Sequence, residues 1–258
     1  MQRGTALVTG ASAGIGREFC RQLAERGYDL VLAARDEARM REVAAELTGP
    51  RAITAEVLPA DLTRDDDVDR VIARLRAPDV TLLVNNAGFG TVGSLATADP
   101  VQQERMIRLH VLAPMRLTRA VLPGFLERGR GGIVNVSSVA SFIYAPGNVN
   151  YCATKAYLTT FSEGLGTELR GTGVRVQALC PGFTHSEFHQ RMGEDTRRRP
   201  RFSWLEAPAV VRASLDQLER GGPVICVPGP GYKLLVALIG VLPRRLIGRL
   251  TGVGYRRL

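Results

Sequence analysis

Along the first two thirds of the chain, short runs of aliphatic and β-branched residues alternate with longer stretches whose apolar positions recur three and four apart. Leu7–Thr9 opens the series as a strand, and the spacing predicts a helix from about Gly14 to Arg26. A second strand is expected over Asp29–Ala33, a helix over Glu37–Leu47, a third strand over Ala55–Pro59, a helix within Arg64–Leu75 and a fourth strand over Leu82–Asn85. Gly132–Ser137 and Val174–Leu179 continue the series, each after a long helical stretch, and Val224–Val227 closes it. Seven strands alternating with helices imply βαβ units, hence an α/β chain with a doubly wound, mainly parallel sheet covered on both faces. No repeat, low-complexity tract or linker divides it, so residues 1–231 are expected to form one domain. Residues 183–207, polar and arginine-rich after a strand end, are expected to form a lid, and residues 232–258 an apolar and basic tail.

Composition narrows the class. With 258 residues, 45% of them hydrophobic and 23% charged, the chain can fill a core and lacks the signature of disorder. No run approaches the roughly 20 apolar residues of a spanning helix. Four cysteines, Cys20, Cys152, Cys180 and Cys226, lie too far apart for a zinc ribbon or a disulfide framework and read as reduced thiols. No export signal is visible at the N-terminus, so a cytoplasmic location is expected and no metal is called for. The formal net charge is +9, but the tail holds Lys233, Arg244, Arg245, Arg249, Arg256 and Arg257 without one acid. The body is therefore nearly balanced, unlike the basic stripe of a nucleic-acid binder. Among 34 basic residues only Lys155 and Lys233 are lysines, which raises the question of what an ammonium does there that a guanidinium cannot.

Between the first strand and first helix lies Thr9-Gly-Ala-Ser-Ala-Gly-Ile-Gly16. Glycines at 10, 14 and 16 permit a tight turn and close backbone approach to a pyrophosphate, and the helix N-terminus adds donors and positive dipole. Gly10, Ser12, Ala13, Gly14, Ile15 and Gly16 are thus candidate cofactor-binding residues of a Rossmann-type domain.

Together with Asn85-Asn-Ala-Gly88, Ser138, Tyr151-x-x-x-Lys155 and Pro181-Gly182, this loop resembles the classical short-chain dehydrogenases/reductases in motif order, over about Thr5 to Gly229. The resemblance implies a nicotinamide cofactor and a Ser-Tyr-Lys site, with hydride passing between the cofactor and a carbonyl carbon. It also implies that Asp61 and Leu62 meet the adenine, that Asn85, Ala87 and Gly88 line the crevice, and that Pro181, Gly182 and Thr184 lie beside the nicotinamide, with Ser186 an alternative to Thr184. At the second strand's end the position for an NAD-selecting acid is Ala34, followed by Arg35. An acid there would repel a 2′-phosphate that a guanidinium pairs with, so NADP, as NADPH, is expected over NADH.

Tyr151 and Lys155, four apart on a predicted helix, share a face. A phenol with pKa near ~10 is a poor acid/base at neutral pH until a neighbouring ammonium favours the phenolate. In the resemblance Tyr151 handles the proton, Lys155 also holds the nicotinamide ribose, and Ser138 donates to the substrate oxygen, Ser137 being the near alternative. Where many family members carry an Asn, 41 residues ahead of the Tyr, this chain has His110. His110 is expected either to keep a proton relay and make turnover respond to pH near neutrality, or to be a satisfied helix histidine.

Phe183, Phe188, Met192, Phe202 and Trp204 give the lid an apolar lining suited to an aliphatic or aromatic carbonyl better than a sugar, and Arg197–Arg201 could attract an acidic handle or simply be solvated. The family resemblance adds a steroid or a 3-oxoacyl thioester as candidate substrates. The tail resembles that of membrane-associated 3-oxoacyl reductase and 17β-hydroxysteroid dehydrogenase relatives. It is expected to lie on an anionic membrane surface or to pack on protein. The family implies a dimer or tetramer. Two rival readings stay open: a non-catalytic dinucleotide sensor or scaffold on the same fold, and an extended-type epimerase or dehydratase, for which little chain remains after Gly229.

Overall fold

The structure, a computed structural model, describes residues 4–49, 52–188, 192 and 204–252. Its seven strands are β1 (Thr5–Thr9), β2 (Asp29–Ala34), β3 (Ala55–Pro59), β4 (Val80–Asn85), β5 (Gly131–Val136), β6 (Val174–Leu179) and β7 (Ile225–Cys226). All pair in parallel in the order β3-β2-β1-β4-β5-β6-β7. The helices that carry the chain between them are α1 (Gly14–Glu25), α2 (Glu37–Thr48), α3 (Asp65–Leu75), α4 (Pro100–Ile107), α5 (Ala113–Glu127), α6 (Val149–Glu168) and α7 (Ala207–Glu219). The expected α/β architecture is the observed one, and the strand positions agree to within a few residues.

Alternation along the strands feeds two cores. Ala6, Val8, Leu30, Leu32, Leu82 and Val84 point to one face, where they meet Phe19 and Leu23 of α1, Met40 and Leu47 of α2, and Val210 and Leu215 of α7. Their neighbours Leu7, Val31, Leu83 and Ile133 point to the other, against Val71 of α3, Leu117 and Phe125 of α5 and Leu165 of α6. A sheet buried on both sides is why these strands read as unbroken apolar runs.

Chain direction across the sheet reverses between β1 and β4, and ligands of open α/β sheets bind at the carboxyl ends of the strands at such a switch point. Side chains stitch the two ends together. Thr9 Oγ1 accepts from the backbone N–H of Asn86 (2.9 Å) and of Ala87 (3.0 Å), while Asn86 Nδ2 donates to the Thr9 carbonyl (2.9 Å).

The last segment is not a free tail. Helix α8 (Pro230–Val241) brings Tyr232 and Val236 against Ala178, Cys180 and Val227, and α9 (Arg244–Gly252) buries Ile247. Thr251 Oγ1 donates to the Tyr144 carbonyl. The opposite side of α8 is bare: Leu234 is 62% exposed, Leu238 52% and Val241 79%.

Candidate active site

The glycine loop is shaped by its own packing. A Cβ on Gly16 would fall 2.1 Å from the Gly10 carbonyl oxygen, so the third glycine lets α1 start directly against the first turn. Gly14 takes φ +53°, where a Cβ is unfavourable. Helix α1 begins after Ala13, which supplies no side-chain cap, and its first turn holds no acid. The first N–H groups and the positive end of the helix are thereby left for an anionic ligand, which is the chemistry a pyrophosphate needs. Ser12 and Ile15 are part-buried, Ile15 against the core.

On the adenosine side, Arg35 follows β2 as an exposed side chain. Asp61 follows β3; its carboxylate accepts from the Thr63 N–H (3.0 Å) and hydroxyl (2.8 Å) and from Arg105 (3.2 Å). Burial opposes its ionisation, yet the Thr63 donors and the charges of Arg105 and Arg35 hold the carboxyl below its usual range. Leu62 is buried in the core, so only its backbone is placed for a ligand.

One expectation needs correcting. Asn85 was expected to line the crevice, but its side chain turns inward: Nδ2 donates to Asn135 Oδ1 (2.8 Å), and Asn135 in turn donates to Ser162 (2.9 Å). The interior supplies acceptors for the Asn85 amide N–H groups, Asn135 and Thr118; Asn86, one residue on, is the one that meets the glycine loop. Gly182 owes its lack of a side chain to the ring of Tyr232, whose atoms lie 2.1–2.4 Å from where a Cβ would stand. The Tyr232 hydroxyl accepts from the Phe183 N–H (3.1 Å), so α8 holds up this wall. Pro181 and Thr184 are buried, and the Thr184 hydroxyl donates to the Gly182 carbonyl (3.0 Å). Ala87 packs against the core and Gly88 is exposed at the rim.

The reacting wall is built by α6 and the end of β5. Lys155 is 5% exposed, and Nζ donates to the Val136 carbonyl (2.8 Å), leaving two more N–H donors on the ammonium. Burial lowers its pKa to about 8, with Cys180 pulling the other way. The same Nζ stands 5.7 Å from the Tyr151 ring centroid. Ser138 accepts from the Ala140 N–H (3.1 Å) and caps a 3₁₀ turn over Val139–Phe142, so its O–H proton can point elsewhere. Ser137, by contrast, donates inward to the Lys155 carbonyl (2.8 Å) and meets Thr159 (2.8 Å).

His110 sits where the helical pattern between α4 and α5 slips to a π turn over Arg108–Leu112, and it is 1% exposed. Its protonation follows from its partners. Thr154 Oγ1 spends its proton on the Tyr151 carbonyl (2.9 Å), so toward His110 Nδ1 (3.1 Å) it can only accept. Nδ1 therefore carries the ring proton, and Nε2 accepts from the Phe89 N–H (3.1 Å). Burial, then the charge of Lys155, pushes the imidazole well below its ordinary pKa. Titration near neutrality does not survive this setting. A charged ring would aim an N–H at the Phe89 N–H, and both nitrogens are already engaged. The satisfied reading is the one the structure supports, with His110 bracing α6 beneath Tyr151, whose ring meets it edge-on at 5.9 Å.

Over this wall runs the described part of the lid. Phe188 lies 6.0 Å from the Tyr151 ring, Met192 packs against Gly90, and Trp204 stacks on His185 at 4.7 Å. Phe202 and Arg197–Arg201 lie outside the described residues. Sequence reading did not anticipate Thr154 and Asn135, whose roles depend on which helix packs on which strand, nor the ion pair between Arg39 and Glu187.

The family model described as short chain dehydrogenase matches residues 4–197. A very-long-chain 3-oxoacyl-CoA reductase of Anas platyrhynchos is 35% identical over 69% of this chain, and the match spans only 59% of that protein's length. An uncharacterized oxidoreductase of Myxococcus xanthus is 40% identical over 71% of this chain and 73% of its own. Among solved structures, a short-chain dehydrogenase from Sphingobium yanoikuyae in complex with NADPH superposes with a TM-score of 0.84 at 36% identity, over 93% of this chain and 97% of its own. An alcohol dehydrogenase from Comamonas testosteroni specific for bulky-bulky ketones gives 0.80 at 33% identity, over 95% and 96%. With the family model covering most of the sheet and its glycine loop, the chain belongs to the short chain dehydrogenase family of oxidoreductases.

Proposed function

We propose that this chain is an NADPH-preferring ketoreductase, interconverting a lipophilic carbonyl compound and a secondary alcohol. The observation that carries the reading is the buried Lys155 ammonium beside the Tyr151 ring, at the strand ends where Ser138 keeps a hydroxyl proton to donate. A nicotinamide nucleotide bound in the crevice supplies the hydride. Lys155, with two donors remaining, holds the ribose hydroxyls, and its charge makes the phenol of Tyr151 a better acid. Ser138 donates to the carbonyl oxygen, and Tyr151 delivers the proton to that same oxygen; in oxidation both transfers reverse. Gly10, Gly14 and Gly16 admit the pyrophosphate, Asp61 meets the adenine, and Arg35 pairs with the 2′-phosphate. A dinucleotide sensor would not need Ser138, Tyr151 and Lys155 set together, which favours the enzyme.

Support for a bulky substrate comes from the aromatic lining by Phe188, Phe183 and Trp204 and from the names of the relatives, a 3-oxoacyl-CoA reductase and a dehydrogenase of bulky-bulky ketones. A screen of ketones, steroids and 3-oxoacyl thioesters, followed by NADPH and NADH absorbance, tests both choices. Arg35→Ser should reduce the preference for NADPH about 10- to 100-fold, the range for one charge-assisted contact. Equal kcat/KM for both cofactors in the wild type defeats the assignment.

Exposed Leu234, Leu235 and Leu238 on α8, with Lys233, Arg245 and Arg249 and no acid nearby in sequence, suit an anionic lipid surface. Among the described residues no helix is long and apolar enough to cross a membrane. The basic, apolar face of α8 and α9 is the ground for proposing a peripheral position at the inner face of the membrane; a cytoplasmic location and a dimer or tetramer are proposed from the family resemblance. Flotation with phosphatidylglycerol vesicles should be lost on Leu234→Gln/Leu238→Gln, and no flotation of the wild type removes the membrane role.

A further inference from the structure

The first residues of the lid are tied to the body at its neck and again at Glu187. At the neck, Leu205 N–H donates to the Phe183 carbonyl (2.7 Å) and His185 N–H to the Leu205 carbonyl (2.9 Å), closing a short parallel bridge. From there the chain passes over the glycine loop, where Ser186 Cβ lies 3.1 Å from the place a Cβ on Gly14 would occupy. One residue on, Glu187 meets Arg39 in the first turn of α2, with Nη1 to Oε2 at 2.9 Å and Nη2 to Oε1 at 2.8 Å. The two side chains are 41% and 40% exposed and far apart in sequence. Asp36 caps α2 by accepting from the Arg39 N–H (3.0 Å), which fixes the base of this arginine. Its fork thus faces the carboxylate from a rigid helix start, the bidentate geometry that adds most to an exposed ion pair.

We propose that Arg39 and Glu187 are positioning residues that clasp the lid across the dinucleotide crevice, so that nucleotide leaves only after this pair opens. This rests on the ketoreductase reading for the identity of the nucleotide, but not for the clasp itself. α2 belongs to the half of the sheet that holds the glycine loop, whereas the lid grows from β6 in the other half. The pair therefore bridges the switch point on the side where the cofactor must enter and leave. The positive charge of Arg39 is matched by a carboxylate, which distinguishes it from Arg35, for which the 2′-phosphate is the proposed partner.

The chain contains one tryptophan, and it lies in the lid, so the clasp can be read with and without nucleotide. Arg39→Gln, Glu187→Gln and the double variant are compared for acrylamide quenching of Trp204 in the free protein, and for NADP⁺ and NAD⁺ dissociation by stopped flow. The expected result is greater quenching in each single variant. Both nucleotides should leave roughly two- to fivefold faster, the range for an exposed pair of good geometry, with the double variant no faster than either single one. Unchanged quenching and release, or additive effects in the double variant, overturn the clasp. So does an effect of Arg39→Gln confined to NADP⁺ with none from Glu187→Gln, which would make Arg39 a phosphate ligand instead. If the wild type binds neither nucleotide, the ketoreductase reading fails while the quenching comparison still decides the clasp.

Discussion

The floor of the crevice and the lid above it are built from different materials. The floor is a set of buried, mutually hydrogen-bonded polar groups. Asn85, Asn135 and Ser162 form one hydrogen-bonded chain, and Phe89, His110, Thr154 and Tyr151 another, with Lys155 anchored on Val136. These bonds are made within the protein, at strand ends that the sheet holds fixed, while Lys155 keeps two donors for a ligand. The described part of the lid has half-exposed rings in contact, a two-bond neck and an ion pair open to water. Buried networks lose much when one member is removed, because the rest are left unpaired, whereas exposed pairs lose little. Chemistry that depends on a proton at a set position belongs on the first kind of structure, and entry and exit of ligands on the second.

Damage to the floor should therefore be severe. Gly16→Ala places a methyl group 2.1 Å from backbone oxygen, with no side chain to move aside. Overpacking of this kind costs about 1–3 kcal/mol or more, and the loop should lose nucleotide binding altogether, measured by calorimetric titration beside a denaturation curve. Binding at wild-type strength would mean the loop is looser than its packing implies.

Lys155 offers a subtler break. Its pKa is near 8 in the folded protein without nucleotide, below the ordinary lysine value of 10.5. Above pH 8 the native state sheds this proton while the unfolded chain keeps it, so the unfolded state binds more protons and stability from this group rises with pH up to about 10.5. Below pH 8 both states are protonated and the contribution is flat. Compared with Lys155→Met, the wild type should gain in relative Tm between pH 8 and 10, an advantage that a solvated lysine would not show.

Opening the lid clasp has the smaller, kinetic effect already stated for Arg39 and Glu187. Smallest of all is the expected effect of His110 on pH dependence. His110→Asn should lower stability by about 1–2 kcal/mol through its lost bonds, yet leave the kcat–pH profile superimposable on the wild type between pH 6 and 8. An acid limb present in the wild type and absent from the variant would restore the relay.

The same contrast explains what could be read from the sequence. Strands, helices and the Tyr151–Lys155 face follow from spacing within one element, and all were legible. Ser138 was separable from Ser137 only through the family spacing; their hydrogen bonds point to the same choice for a physical reason, since Ser137 spends its hydroxyl on α6. Asn85 was misassigned because a strand-end amide can turn either way until its neighbour strand is known. Arg39 and Glu187 carry no local signal at all: the tertiary fold alone brings them together. His110 stood out as a departure from the family, but its tautomer depends on Thr154, a partner far along the chain.

The central claim is that the Tyr151 phenol, beside the Lys155 ammonium, transfers the proton. Tyr151→Phe keeps the ring and its contacts with His110 and Phe188, and removes only the hydroxyl. The account predicts that this variant binds NADPH with wild-type affinity, while single-turnover oxidation of NADPH by a ketone that the wild type reduces slows by roughly 10²–10⁴-fold. Reduction at the wild-type rate, with binding intact, would contradict it.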